Sequence, residues 1–240
     1  MDWTIENDRD IKEKGYTVLP QLVSAPLIEL AARLIAQDFL TSQPKSQAEW
    51  EFCSLSTFCK GLIDSDSLRF LAIDSGAFAF GCQGIGRLDP TDLSIQVARR
   101  RKGDEGTPHI DGFYYSPGDD APANTPDAVL GIYLTDVLRI SDGPLEVWPD
   151  ARAMVRDWAN TMTVLPQRLC HPPFLERLTR GQPILGPRGT AFIAHGALPH
   201  RNARRTAEQD YRDAVYFRLY RSAGERSVLK ILQSGGERWY

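Results

Sequence analysis

The chain has 240 residues, 42% of them hydrophobic and 25% charged, and a net charge of −3. That length suits one generous domain, the composition is that of a globular protein, and the acidic balance gives no electrostatic case for nucleic-acid binding. No run reaches the roughly 18 apolar residues a membrane helix needs, and the acidic start Met1–Asp8 lacks the apolar core of a signal peptide, so a cytoplasmic protein is expected.

Gly15-Tyr16-Thr17-Val18-Leu19-Pro20 predicts a short strand ended by proline. Ser24 offers an N-cap, with Pro26 in the first turn. Leu27, Ile28, Leu30, Ala31, Leu34 and Ile35 follow at helical spacing and predict an amphipathic helix over 24–40. Residues 1–77 are read as mostly helical. From about residue 78 the pattern changes to short apolar runs separated by Gly, Pro and Asp: Ile95–Ala98, Phe113–Tyr115, Val129–Leu134, Leu145–Trp148, Thr190–Ala194 and Ala214–Leu219. Such runs predict a β-sandwich or barrel over 78–220, leaving 221–240 as a tail ending in Trp239-Tyr240. Segments 150–159 and 171–181 are read as helices within it. Ser116–Asp127, rich in proline and aspartate, reads as a long surface loop and a candidate lid. The basic run Ala98–Lys102, followed by Asp104 and Glu105, reads as a solvated turn between strands. Cys53, Cys59, Cys82 and Cys170 fit no zinc spacing and are expected to be buried free thiols.

The four histidines are His109, His171, His195 and His200. In Pro108-His109-Ile110-Asp111-Gly112, residues 109 and 111 of an extended segment point to the same side, with Ile110 opposite. A second histidine arriving from a distant strand would complete two imidazoles and one carboxylate, the facial triad of non-haem iron(II) oxygenases. By itself His-x-Asp is a weak signal, more often a surface or turn pair near a β-edge than a metal site.

The downstream sequence resembles the phytanoyl-CoA dioxygenase family of iron(II)- and 2-oxoglutarate-dependent oxygenases. The resemblance runs from Gly15 to about Leu219: the opening Gly15–Pro20, the His109-x-Asp111 pair, the strand Gly143-Pro144-Leu145-Glu146-Val147-Trp148-Pro149, then Gly189 leading to His195 and, five residues on, His200. It implies a double-stranded β-helix (jelly-roll, cupin-like) core with flanking helices, mainly β. It also implies His109, Asp111 and His200 as ligands to iron(II), and Arg212 as the anchor for the far carboxylate of 2-oxoglutarate, with dioxygen as the other cosubstrate. His195 becomes an interior neighbour of the site, and His171, in Cys170-His171-Pro172-Pro173, a loop residue.

The strand period supports the arginine independently. Val215, Phe217 and Leu219 share one face, and Arg212, Ala214, Tyr216 and Arg218 share the other. A planar guanidinium suits paired hydrogen bonds to a carboxylate, and Arg218 is the runner-up. Gln96, on the strand before His109, is a candidate for a hydrogen bond to the cosubstrate. Tyr114, Tyr115, Tyr133, Trp148 and Arg218 are candidate pocket groups.

The chain departs from the family pattern at Gly189-Thr190, at Pro149-Asp150-Ala151-Arg152 and at Arg201-Asn202. Asp111 is retained where related halogenases carry a small residue, which points to hydroxylation of a C–H bond in a small metabolite or natural-product intermediate. Two other readings compete: a cupin-like metal enzyme that does not use 2-oxoglutarate, and a non-catalytic β-sandwich that binds a ligand or protein. The sequence leaves the oligomeric state open.

Overall fold

The computed structural model describes residues 2–86, 88–112, 125–162, 172–208, 211–221 and 228–234. The first helix, α1 (Ile5–Lys14), is opened by a capping box between Thr4 and Asn7 and closed by Gly15 at φ 79°, a left-handed conformation that glycine adopts without strain. β1 (Tyr16–Leu19) follows, then α2 (Ala25–Ser42), whose N-cap is Ser24, with Pro26 in the first turn. Ile28, Ala31, Ile35 and Phe39 form the buried stripe of α2, at the helical spacing expected. α3 (Gln47–Leu55), α4 (Lys60–Asp64), α5 (Phe70–Ile73) and α6 (Ala77–Ile85) complete the helical front part.

The remaining elements are β2 (Leu88–Arg100), β3 (Ala128–Tyr133), β4 (Leu145–Val147), α7 (Arg152–Asn160), β5 (Gln182–Ile184), β6 (Ala191–His195), β7 (His200–Asn202), β8 (Arg212–Arg221) and α8 (Val228–Gln233). They build two antiparallel sheets, one of five strands in the order β1-β6-β3-β8-β2 and one of three in the order β5-β4-β7. The inner faces meet through Ala98, Val129, Tyr133, Phe192, Ala214 and Tyr216 of the large sheet and Leu145, Val147 and Ile184 of the small one. The Tyr133 hydroxyl ties the layers together, donating to the Ile184 carbonyl at 2.9 Å and accepting from the Leu145 N–H at 3.0 Å. On the outer face of the large sheet, Ile95, Val97, Leu130, Ile193, Val215, Phe217 and Leu219 pack against α2, α5 and α6. A third cluster gathers Ile110 with Val155 and Ala159 of α7 and Ile231 and Leu232 of α8.

Several expectations change. Among the described residues helix outweighs strand, so the fold is mixed helix and antiparallel sheet, not mainly β. The strand region opens at Leu88, not near 78. α6 occupies 77–85 although it contains Gly81 and Gly84, poor helix formers. Close packing explains it, because a Cβ on Gly84 would enter the Trp3 ring. Segment 171–181 holds only a 3-10 turn, Pro173–Arg177, among its described residues. The tail contains α8 and the last residue of β8. Of the loop 116–127 only Thr125, Pro126 and Asp127 are described, and they are buried, with Asp127 in an ion pair to Arg221 at 2.9 Å. Phe113–Tyr115, Cys170, His171, Trp239 and Tyr240 lie outside the described residues.

The basic run is no solvated turn. Arg99 and Arg100 end β2 and are buried. Arg99 forks onto Asp213 at 2.8 and 2.7 Å and lies over the rings of Phe39 and Tyr211. Where the family resemblance breaks down, at Asp150-Ala151-Arg152, Arg152 donates to the Ile11 and Lys12 carbonyls at the C-terminus of α1, a favourable place for a cation. Cys59 is a buried free thiol whose pKa burial pushes up to about 12, whereas Cys53 and Cys82 are half-buried. Among the described residues no helix is long and apolar enough to cross a membrane.

Gly131 sits in β3 between β6 and β8, with the Phe192 ring laid where a side chain would stand. Gly131→Ala is expected to destabilise the protein by about 1–3 kcal/mol through overpacking, read as a lower midpoint in urea unfolding.

Candidate metal centre

His109, Ile110 and Asp111 follow the turn after β2, and their alternation works as expected. Ile110 is fully buried under α7 and α8, while the other two side chains turn toward β7. His109 and His200 form an antiparallel bridge, each main-chain N–H donating to the other's carbonyl at 2.9 Å. Their rings are 4.4 Å apart. Nε2 of His109 and of His200 lie 3.8 and 3.7 Å from Oδ1 of Asp111. One donor atom from each of the three residues falls within 4.8 Å of the others.

Hydrogen bonds select the imidazole tautomers. Nδ1 of His109 is 2.8 Å from the Thr107 carbonyl, and Nδ1 of His200 is 2.9 Å from the Leu198 carbonyl. A carbonyl only accepts, so each Nδ1 carries the proton and each Nε2 offers a lone pair toward Asp111. Burial, reinforced by His200, lowers the His109 pKa to about 4, which keeps that imidazole neutral near pH 7.

Asp111 is 3% exposed. Burial opposes its ionisation, but the neighbouring positive charge, Arg218 foremost, outweighs burial and holds the carboxyl well below its ordinary range. Arg218 supplies the fork: Nε donates to Oδ2 at 3.0 Å and an Nη to Oδ1 at 3.1 Å. Gln96 buttresses the arginine. Its amide oxygen accepts from Arg218 at 3.2 Å and its amide nitrogen donates to the Ser56 carbonyl at 2.6 Å.

His195 is close by but differently engaged. Its Nδ1 accepts the Ala197 N–H at 3.0 Å, and Nε2 faces the Ser234 hydroxyl at 3.4 Å. With Nδ1 used as an acceptor, the proton sits on Nε2 and no lone pair is directed toward Asp111.

A cavity of about 1060 Å³ opens on the three donors. Gln96, Arg100, His109, Asp111, His195, His200, Asn202, Tyr216 and Arg218 contribute to its wall, and α3 flanks the mouth with Trp50, Phe52 and Leu55. Arg212 is 1% exposed and lies one layer beneath, donating to the Gly143 carbonyl at 3.0 Å, to the Tyr216 hydroxyl at 3.4 Å and to Asn202 Oδ1. Asn202 and Tyr216 thus stand between Arg212 and the cavity. Tyr133 and Trp148, expected as pocket groups, are buried core residues away from the cavity wall. Sequence reasoning missed Arg100 and Asn202. The inward alternation Gln96, Ala98, Arg100 and the step of two from His200 to Asn202 were the available signals.

Two imidazoles and one carboxylate on one side, with a cavity on the other, fit a divalent metal that keeps open coordination positions. The Arg218–Asp111 fork generates a prediction. Removing one partner of a buried ion pair typically costs about 3–5 kcal/mol. Arg218→Met is therefore expected to lower the urea midpoint of metal-free protein strongly, and cobalt(II) should restore part of the loss by supplying a replacement positive charge. An unchanged midpoint would mean that Asp111 does not depend on Arg218.

No protein-family model and no curated protein matches the sequence. Solved structures do match in fold. HygX from Streptomyces hygroscopicus, solved with nickel and 2-oxoglutarate bound, aligns over 93% of this chain and 89% of its own with a TM-score of 0.61 at 13% identity. The non-haem α-ketoglutarate-dependent carbocyclase SnoK from nogalamycin biosynthesis aligns over 95% of this chain and 90% of its own, TM-score 0.61, 15% identity. A Pseudomonas putida prolyl-4-hydroxylase aligns over 91% of this chain and 94% of its own, TM-score 0.50, 14% identity. This chain therefore has the fold shared by these non-haem oxygenases and their relatives.

Proposed function

We propose that the chain is an iron(II)- and 2-oxoglutarate-dependent oxygenase of the phytanoyl-CoA dioxygenase type, built on a jelly-roll core, that hydroxylates a C–H bond of a small organic substrate. One observation carries the reading: His109, Asp111 and His200 bring two Nε2 atoms and a carboxylate together on the wall of a cavity large enough for a small molecule. Structures of the same fold that hold ligands agree with it, since HygX has been solved with hygromycin B and SnoN with nogalamycin RO.

In this reading His109, Asp111 and His200 would hold the metal, with Arg218 fixing the Asp111 carboxylate. Iron(II) and 2-oxoglutarate held there would supply the chemistry of dioxygen activation, with succinate and carbon dioxide as the co-products of substrate oxidation. Arg212 is assigned to the far carboxylate of 2-oxoglutarate. Its support is the buried guanidinium, which has only neutral partners, two of them on the cavity wall. For that carboxylate to reach Arg212, the Asn202 and Tyr216 side chains must yield or share their hydrogen bonds. Gln96 is assigned to position Arg218 and, through it, Asp111. The retained carboxylate at position 111 favours hydroxylation over halogenation.

The test needs no substrate. Without oxygen, addition of iron(II) and 2-oxoglutarate is expected to produce a saturable visible charge-transfer band. His200→Ala should abolish it and His195→Ala should keep it. Hydrogen bonds to charged groups contribute about 1.5–3 kcal/mol, so Arg212→Ala should weaken 2-oxoglutarate roughly 10- to 100-fold. A folded, iron-loaded protein with no band would reject the cosubstrate. A band insensitive to Arg212→Ala would reject that residue's role.

A further inference from the structure

Arg100 is the last residue of β2, and its side chain lines the same cavity as the metal donors. It is 7% exposed, yet among the described residues its only hydrogen bond is from an Nη to the Ser54 carbonyl at 3.2 Å, and its Nε has no partner there. A charge in such a place is ordinarily paired. The acids on the wall are engaged elsewhere. Asp111 is forked by Arg218, and Glu105 meets Arg201 at 3.0 Å. Asp104 accepts the Trp50 indole N–H at 2.9 Å and the Arg101 main-chain N–H at 3.0 Å, and Glu51 accepts from Gln47.

The position is worse than unpaired. Arg100 stands directly opposite Arg212 in the β2–β8 register, and like charges facing each other across an antiparallel pair are destabilising. Burial, and then the Arg212 charge, lower the Arg100 pKa to about 10. Tyr216 and Asp104 offset only part of that penalty. A buried cation that weakens its own fold and faces a cavity is characteristic of a binding residue.

Above Arg100 the same helix that supplies the Ser54 carbonyl presents Phe52 and Leu55, each 71% exposed, to the mouth. We infer that Arg100 is an oxyanion-binding residue of this cavity and that the substrate is an amphiphilic acid, its carboxylate or phosphate on Arg100 and its apolar body against Phe52 and Leu55. This deepens the oxygenase reading and rests on it for the word substrate. In that reading the far carboxylate of 2-oxoglutarate meets Arg212 and Arg218 meets Asp111, which leaves Arg100 as the cation of the cavity wall still to be met. The other source of the same chemistry is the far carboxylate of 2-oxoglutarate, and the test separates the two.

Octanoate serves as the probe and octanamide as its uncharged control, titrated by calorimetry with and without iron(II) and 2-oxoglutarate under anaerobic conditions. Octanoate is expected to bind the native protein, about tenfold or more weaker to Arg100→Met, with Arg100→Lys intermediate and 2-oxoglutarate affinity held within about twofold. Octanamide should bind both proteins equally weakly. Arg100→Met should also melt higher by about 2–4 °C, since it removes an unpaired buried charge. Equal octanoate binding in native protein and Arg100→Met, or none in the native protein, would overturn the inference. Loss of 2-oxoglutarate affinity in Arg100→Met with octanoate unaffected would also overturn it, placing Arg100 in the cosubstrate site. A lower melting temperature, or failure to fold, would make Arg100 structural and overturn it as well. Absence of the charge-transfer band in the native protein would reject the oxygenase reading alone, and the octanoate comparison would still decide Arg100.

Discussion

β8 imposes the constraint on which the rest of the molecule depends. It is hydrogen-bonded on both sides, to β2 and to β3, so its direction and register are fixed along most of its length. Its side chains therefore alternate without freedom. Val215, Phe217 and Leu219 go outward beneath the helices. Arg212, Ala214, Tyr216 and Arg218 go inward, where the two sheets face each other. One strand thus supplies both the apolar surface that holds the helices and the cations that organise the interior.

Those cations are tolerable only because of what meets them. Arg218 is satisfied by Asp111 and Gln96, and Asp111 in turn stays ionised because Arg218 is there. The two imidazoles are oriented by carbonyls two residues before them, so their orientation comes from main chain held in the fold, not from flexible side chains. The candidate centre is accordingly set before any ion arrives. Arg100 is the exception in this interior, a guanidinium brought in by strand alternation with one main-chain carbonyl to meet it.

Much of this was legible in the sequence, for identifiable reasons. The long helix over 25–42 and the strands at 128–133, 145–147, 191–195 and 212–221 carry periodic apolar patterns, and they appear where the pattern put them. The pairing of His109 with Asp111 across the buried Ile110 follows from a two-residue period alone. The convergence of His200 on that pair does not. It depends on a contact between distant segments, and only the family resemblance brought His200 forward. Arg99 and Arg100 were misread because a run of charges looks like a turn. Their partners, Asp213 and the cavity, lie far away in sequence or are not residues at all. Helix α6 was hidden for the opposite reason, since its glycines argue against helix locally and are explained only by Trp3 and by the sheet beneath.

The two imidazole donors are also a backbone-bonded pair, His109 against His200. A shift of one residue in that pairing would send one imidazole to the opposite face, so correct donors cannot assemble on a misregistered fold. An ion held by both residues would close a loop of roughly ninety residues, whose closure entropy grows only slowly with length. It would serve as a reversible staple between the middle and the last third of the chain. Occupancy of such a site and resistance to unfolding would then be one linked equilibrium.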